Sequence, residues 1–339
     1  MNSFPSGAVK MPIIKTENLT KIYSGNIKAV SDLNIEIEEA EIYGLLGKNG
    51  AGKTTTIKML TTAIEPTSGN AKVAGYDLLK DREKIRNIIG VVPQDLTTDA
   101  DLKGIENLRM IAAFYDIPKS VAESRINDLL NIVDLTDWGN KYVSQYSGGM
   151  RKRLELICGL VNAPKILFLD EPTLGLDVNT RAKMWKYIRD IQKELGVTII
   201  LTSHYLEEVD ELANRISIID HGKILVTGTP DELKSSLKGD IITMQFSGSD
   251  EAEAARYYPN ALYSSISGED KVRIKVENSD VELPKILSYL TQKGISPLTI
   301  NVKKPSLDEV FLEYTGSSID EDIGPEQFRR MMQNVRRLR

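Results

Sequence analysis

The chain has almost no cysteine: one residue, Cys158, in 339. No disulfide can form within it, which fits a reducing compartment. Cys158 itself reads as a buried small apolar side chain, the usual fate of a free cysteine. Long hydrophobic runs are also missing. The apolar stretch at residues 197–201 is far short of the about 20 residues that cross a bilayer. The first twelve residues carry no apolar segment and no cleavage pattern, so no signal peptide is expected. If the protein works at a membrane, another chain must supply the spanning helices. Basic charge is not in excess: 43 Lys and Arg stand against 48 Asp and Glu, a formal net charge of -5. That balance argues against broad nucleic-acid binding, which needs a basic footprint. No internal repeat and no low-complexity tract appears.

What remains is an ordinary globular composition, 41% hydrophobic and 27% charged, with length for two or three domains. Residues 13–23 and 27–37 alternate apolar and polar in part and predict strands, joined by Ser24-Gly25-Asn26 as a turn. Residues 42–46 are nearly all apolar, as a buried parallel strand should be. A Gly-rich loop and a helix over 55–63 follow, then strands at 71–75 and 88–93. From about 99 to 161 the pattern is helical. Ile105, Leu108, Ile111 and Ala112 share one face; Ile126, Leu129, Leu130 and Val133 share another. Beyond 165, strands (166–169, 198–202, 215–220) alternate with helices (180–195, 206–213), which implies a parallel sheet covered by helices. A smaller α+β unit follows, with strands at 241–246, 271–276 and 298–302. Its helices are expected at 250–257, 281–291 (Pro284 in the first turn) and 306–314. Residues 316–324 read as a polar, acidic linker. Near the end, Phe328, Met331, Met332, Val335 and Leu338 recur at helical spacing among arginines. Such a basic amphipathic helix packs on its own domain or a dimer mate, or lies on an anionic membrane.

Three segments carry chemistry. Gly47-Lys48-Asn49-Gly50-Ala51-Gly52-Lys53-Thr54 reads G-x-x-x-x-G-K-T between a strand and a helix. Backbone N–H groups of such a loop point at an anion, Lys53 brings charge to the β and γ phosphates, and Thr54 offers a hydroxyl to Mg²⁺. Residues 166–169 form an apolar strand that ends in Asp170 and Glu171. Asp170 suits a metal ion beside the phosphates, and Glu171 suits proton acceptance from an attacking water. Just upstream lies Tyr146-Ser147-Gly148-Gly149-Met150. His204 follows the strand at 198–202 and can hydrogen-bond a γ-phosphate, whereas His221, in a His-Gly turn, reads as solvated. Trp138 and Trp185 read as packing residues.

Over about residues 12–230 these segments resemble the ATP-binding subunits of ABC transporters. Ser147, Gly148 and Gly149 are similar to the centre of the family's signature, Gln94 to its Q-loop, Asp177 in Gly175-Leu176-Asp177 to its D-loop, and His204 to its switch histidine. Tyr23 stands where the family stacks an aromatic on adenine. The departures are Tyr146 and Met150 at the ends of the signature, and Lys48 where most relatives have Pro. The segment 304–316, KPSLDEVFLEYTG, resembles the ending of daunorubicin-resistance-type ATPases.

The resemblance implies a P-loop α/β nucleotide-binding core with an antiparallel β subdomain and a helical insert at about 95–161. Together they form an ATP-binding domain at 12–230. A C-terminal accessory α+β domain at 240–315 and a tail at 316–339 complete the division. It implies ATP and Mg²⁺ as ligands, with ATP held by Tyr23, Gly47, Lys48, Asn49, Gly50, Ala51, Gly52, Lys53, Thr54 and Thr55. Glu171, His204 and Gln94 are the implied catalytic set, and Thr54, Gln94 and Asp170 the implied metal set. Two subunits are expected to meet head to tail, so that Ser147, Gly148 and Gly149 of one close on the ATP of the other. A separately encoded permease and a place at the cytoplasmic face of the membrane follow from the same resemblance. The competing reading is a soluble ABC ATPase acting on ribosomes or nucleic acid, but those usually carry two cores or a long coiled-coil insert.

Overall fold

The computed structural model describes residues 11–237, 239–316 and 319; the basic amphipathic segment near the C-terminus lies outside them. The chain divides into two compact units, with the break between Pro230 and Asp231. Among the described residues, no helix is long and apolar enough to cross a membrane.

Among the described residues, the first unit contains two sheets. An antiparallel sheet is built from β1 (Ile14–Tyr23), β2 (Ile27–Leu33), β3 (Glu36–Ile37), β5 (Ser68–Val73) and β6 (Tyr76–Asp77). The second sheet runs β11-β10-β4-β9-β8-β7. Its members are β4 (Ile42–Leu46), β7 (Ile89–Val92), β8 (Ile166–Asp170), β9 (Thr198–Ser203), β10 (Arg215–Asp220) and β11 (Lys223–Gly228). All neighbours in it are parallel except the β10–β11 hairpin. Every residue of β4 and β8 is buried, which explains their unbroken apolar reading: both faces of a central parallel strand are covered. The core between the sheets joins Ile14, Leu33, Leu45, Phe168, Ile200 and Ile219.

Helix α1 (Lys53–Leu60) follows β4 directly, and α2 (Arg82–Ile88) leads into β7. The insert holds α3 (Gly104–Phe114), α4 (Lys119–Ile132) and α5 (Gly148–Cys158). Helix α5 is brought hard against the sheet: a Cβ on Gly90 of β7 would collide with the Gly159 carbonyl. Cys158 is buried there. Helices α6 (Val178–Leu195) and α7 (Leu206–Leu212) follow. Asp177 caps α6 by accepting from Thr180 N–H at 3.0 Å, and Gly196, in the left-handed region at φ 63°, closes it.

At the start of the second unit lies α8 (Pro230–Ser236), a short helix over a stretch for which no element was expected. Its sheet runs β13-β14-β12-β15, from β12 (Asp240–Gln245), β13 (Tyr263–Ile266), β14 (Lys271–Val276) and β15 (Thr299–Lys303). Helices α9 (Ser249–Arg256), α10 (Ser279–Gln292) and α11 (Leu307–Thr315) accompany it. Ile242, Met244, Phe246, Ile274, Ile286 and Leu290 form its own core. Pro284 sits in the second turn of α10, not the first, because Asn278 starts the helix early by accepting from the N–H groups of Asp280 and Val281.

Candidate nucleotide site

Strand register sets the site. Leu46 lies opposite Ser203, Thr202 opposite Asp170, and Leu169 opposite Val92. Gly47, His204, Glu171 and the Pro93-Gln94 segment therefore leave the sheet side by side at the carboxyl ends of adjacent parallel strands. That edge is where α/β sheets bind ligands.

The loop at 47–54 has its shape forced on it. Gly50 and Gly52 take φ of +79° and +111°, which L side chains avoid. A Cβ on Gly52 would stand 2.5 Å from the Ala29 carbonyl, and one on Gly47 would strike the Ile219 carbonyl. The loop is thus gripped by β2 on one side and β10 on the other. Lys53, 5% exposed, donates to the carbonyls of Gly47 (2.6 Å) and Lys48 (3.1 Å). Burial lowers its pKa; the nearby Glu171 and Asp170 charges oppose that shift. A buried ammonium held by neutral carbonyls is ready to exchange them for phosphate oxygens, which are stronger, charged acceptors.

Thr54 and Asp170 come together as expected. Thr54 Oγ1 donates to Asp170 Oδ1 at 3.2 Å. Thr202 Oγ1 donates to the same oxygen at 2.6 Å, orienting the carboxylate. A hydroxyl and a carboxylate at the foot of a phosphate loop fit Mg²⁺, which takes few protein oxygens and relies on phosphate and water. No cluster of three or more His, Cys, Asp or Glu able to cage a metal occurs among the described residues, and such an ion needs none.

Glu171 is held between Lys53 and His204. Lys53 Nζ is 3.5 Å from Oε1, and His204 Nδ1 is 3.2 Å from Oε2 but outside hydrogen-bond alignment. Burial pushes the Glu171 carboxyl up, but His204 and then Lys53 more than offset it, and the pKa ends below the ordinary value. Its backbone sits at φ +52°, in the left-handed region. The cost is met locally: its N–H donates to both the carbonyl (3.2 Å) and the hydroxyl (3.1 Å) of Thr202.

The other expected residues lie around this centre. Gln94 is exposed just past β7, and its carbonyl accepts from Lys152 Nζ at 2.7 Å. Asn49 and Ala51 belong to the loop, and Thr55 to the first turn of α1. Tyr23 ends β1, 39% exposed, with the Lys21 ammonium 5.4 Å from its ring centre. Its strand partner is Ile27, two residues before the Ala29 that meets the phosphate loop. Ser147 is the exposed N-cap of α5. A Cβ on Gly148 would meet nothing within 4 Å, so this glycine is not demanded by the chain's own packing; one on Gly149 would stand 2.6 Å from Thr180 Cγ2. The Thr180 hydroxyl and N–H hold Asp177 ionised, below its ordinary pKa.

Two supports were not legible beforehand. Thr202 is one; nothing but its place at a strand end marks it. Glu208 of α7, fully buried, is the other: it accepts from Thr173 Oγ1 (2.7 Å) and Trp185 Nε1 (3.1 Å), and burial raises its pKa. A carboxylate on the apolar face of a short helix was the available signal.

Comparison with known proteins bears on this geometry. A family described as ABC transporter matches residues 30–174, and one described as ATP-binding protein DrrA1-3-like, C-terminal domain, matches 228–315. The daunorubicin/doxorubicin resistance ATP-binding protein DrrA of Streptomyces peucetius is 36% identical, covering 95% of this chain and 96% of its own. The chain belongs to the ABC transporter ATP-binding family. Daunorubicin resistance ATP-binding protein DrrA3 of Streptomyces coeruleorubidus is 37% identical over 86% of this chain and 92% of its own. A solved dimeric ATP-binding cassette in a post-hydrolysis state, bound to ADP and Pi, superposes with a TM-score of 0.58 at 25% identity, over 64% of this chain and 98% of that one. The chain is the ATP-binding and ATP-hydrolysing subunit of an ABC exporter. The departure at Tyr146 has a structural reason. Its ring stacks edge-on with Trp138 at 5.8 Å, its hydroxyl donates to the Trp138 carbonyl at 2.7 Å, and Gly104 leaves the room that hydroxyl fills.

Proposed function

We propose that residues 12–230 bind and hydrolyse Mg-ATP within a head-to-tail homodimer that drives a separately encoded permease from the cytoplasmic face of the membrane, with 240–315 as an accessory domain. Lys53 and the loop amides of 47–54 take the β and γ phosphates. Thr54, Asp170 and Gln94 hold Mg²⁺, which supplies charge neutralisation on those phosphates. Glu171 accepts a proton from the attacking water, and His204 hydrogen-bonds the γ-phosphate. Tyr23 stacks on adenine. Ser147, Gly148 and Gly149, at a helix N-terminus, close on the partner's ATP, and Asp177 faces the partner beside them.

The observation that carries this reading is Glu171 fixed between Lys53 and His204 at the carboxyl ends of the parallel strands. The homodimer is favoured by one complete set of motifs, which suits two equal sites. In Glu171→Gln the proton acceptor is gone and the phosphate ligands remain. That variant is expected to bind ATP normally and accumulate as an ATP-bound dimer, read by light scattering in saturating Mg-ATP. A variant that stays monomeric there overturns the head-to-tail reading.

A further inference from the structure

Helix α5 does more than present the signature at its first turn. From its second turn it reaches back to the segment that follows Gln94. Lys152 Nζ donates to the Gln94 carbonyl at 2.7 Å. Three residues on, Glu155 is 2% exposed, yet both oxygens of its carboxylate are hydrogen-bonded. Oε1 accepts from the N–H groups of Thr97 and Thr98, both at 2.6 Å, and Oε2 accepts from Thr97 Oγ1 at 2.8 Å. The neighbours of Glu155 on the helix, Leu154, Leu156, Ile157 and Cys158, are buried and apolar. An apolar residue at 155 would serve packing. A buried carboxylate is costly unless it is well hydrogen-bonded, and this one takes three hydrogen bonds from a single short segment more than fifty positions away in sequence. The far end of that segment is anchored as well. Asp99 N–H donates to Asn107 Oδ1 at 2.8 Å, and Ser144 N–H, just before the signature, donates to the Ala100 carbonyl at 2.9 Å.

We propose that Glu155, assisted by Lys152, is a positioning residue that locks the segment after Gln94 to the signature helix, so that a shift of Gln94 at one ATP is delivered as a shift of Ser147, Gly148 and Gly149 toward the other. This rests on the head-to-tail dimer described above. The geometry makes the link stiff. The carboxylate holds two consecutive amides and a hydroxyl, so the segment can neither slide along α5 nor rotate about one bond. Gln94 precedes the clamp by three residues, and Ser147 precedes Glu155 by two helical turns. The two ends of the device are therefore the site that senses the chain's own nucleotide and the site that grips its partner's. Glu155 touches neither nucleotide.

The test uses the full chain in a Glu171→Gln background. Dimer formation is followed by light scattering against ATP concentration in Mg²⁺, and ATP affinity of the monomer by titration with a fluorescent ATP analogue at low protein concentration. Glu155→Ala is expected to raise the ATP needed for half-dimerisation about tenfold, within the usual range for coupling between two sites, and to leave the monomer's affinity unchanged. Glu155→Gln keeps an acceptor for both amides and a donor for the Thr97 hydroxyl, and is expected to restore dimerisation. In the active background, the Hill coefficient of ATP hydrolysis should fall toward one for Glu155→Ala and recover in Glu155→Gln. Thr97→Val combined with Lys152→Met, which weakens the lock from its other side, carries the same expectation should Glu155→Ala not fold. A parent that dimerises beside a Glu155→Ala variant that dimerises at the same ATP concentration overturns the lock alone. Monomer affinity that falls in step with dimerisation also overturns it, because the residue then serves only local structure. A Glu171→Gln parent that never dimerises overturns the dimer on which the lock rests.

Discussion

Tyr146 and Gly104 are a matched pair. A Cβ on Gly104 would run into the Tyr146 hydroxyl, which is buried and bonded to the Trp138 carbonyl. Gly104→Ala is therefore expected to destabilise the fold by about 1–3 kcal/mol through overpacking. Adding Tyr146→Leu removes the obstacle and should recover part of that loss; urea unfolding of the double-mutant cycle measures both. Strict additivity of the two substitutions would show that they do not touch. Glu171 gives a pH dependence with a definite sign. Its pKa in the fold lies below the ordinary value of 4.5, so the unfolded chain takes up the proton first as pH falls. The stability it contributes is complete above the ordinary value and is lost as pH drops through the folded one. The Tm difference between the parent and Glu171→Gln should be constant near neutrality and shift against the parent as pH falls below the ordinary carboxylate value of 4.5. A difference that stays constant to the acid end would mean that Lys53 and His204 do not hold the carboxylate.

At the scale of elements, legibility followed the range of the contacts. Strands β4 and β8 were readable because burial on both faces leaves an unbroken apolar run. The phosphate loop was readable because its glycines and Lys53 act within eight positions. Strand β15, all five residues exposed, was readable from composition rather than from any buried face. Strand β13 and helix α8 were not, since neither has a clean period. Thr202 and Glu155 escaped for a different reason: their partners lie 32 and 58 positions away, and only the folded chain brings them together. Proline 284 shows the same limit in small form. An expected first-turn proline became an interior one when Asn278 supplied an earlier cap. Its missing N–H leaves the carbonyl one turn back without its helical donor, so Pro284→Ala is expected to stabilise α10, by about 1–2 kcal/mol after the entropy regained by the unfolded chain. Hydrogen exchange of the α10 amides would register the gain, and faster exchange would contradict it.

At the scale of the whole molecule, the two units have separate cores, one containing Phe168 and one Phe246. Both side chains are fully buried, so each truncation to alanine should cost its own unit about 3–5 kcal/mol. The consequences for nucleotide differ. Phe168 lies two residues before Asp170 on the strand that carries the site, and Phe168→Ala should weaken ATP binding along with stability. Phe246→Ala should unfold its unit at lower denaturant while ATP affinity, measured by calorimetry, stays at the parent value. A joint loss would show that the second core supports the nucleotide site.

The missing side chain at Gly149 has a mechanical consequence. With only 2.6 Å from its ideal Cβ position to the Thr180 methyl, α5 and α6 mesh there without clearance. Thr180 in turn holds Asp177 at 2.6 Å through its hydroxyl. A gear train with no backlash transmits small displacements without delay. In the proposed dimer, an approach of the signature turn toward the partner's nucleotide is expected to carry Asp177 with it. Such a train would engage both halves of that interface together.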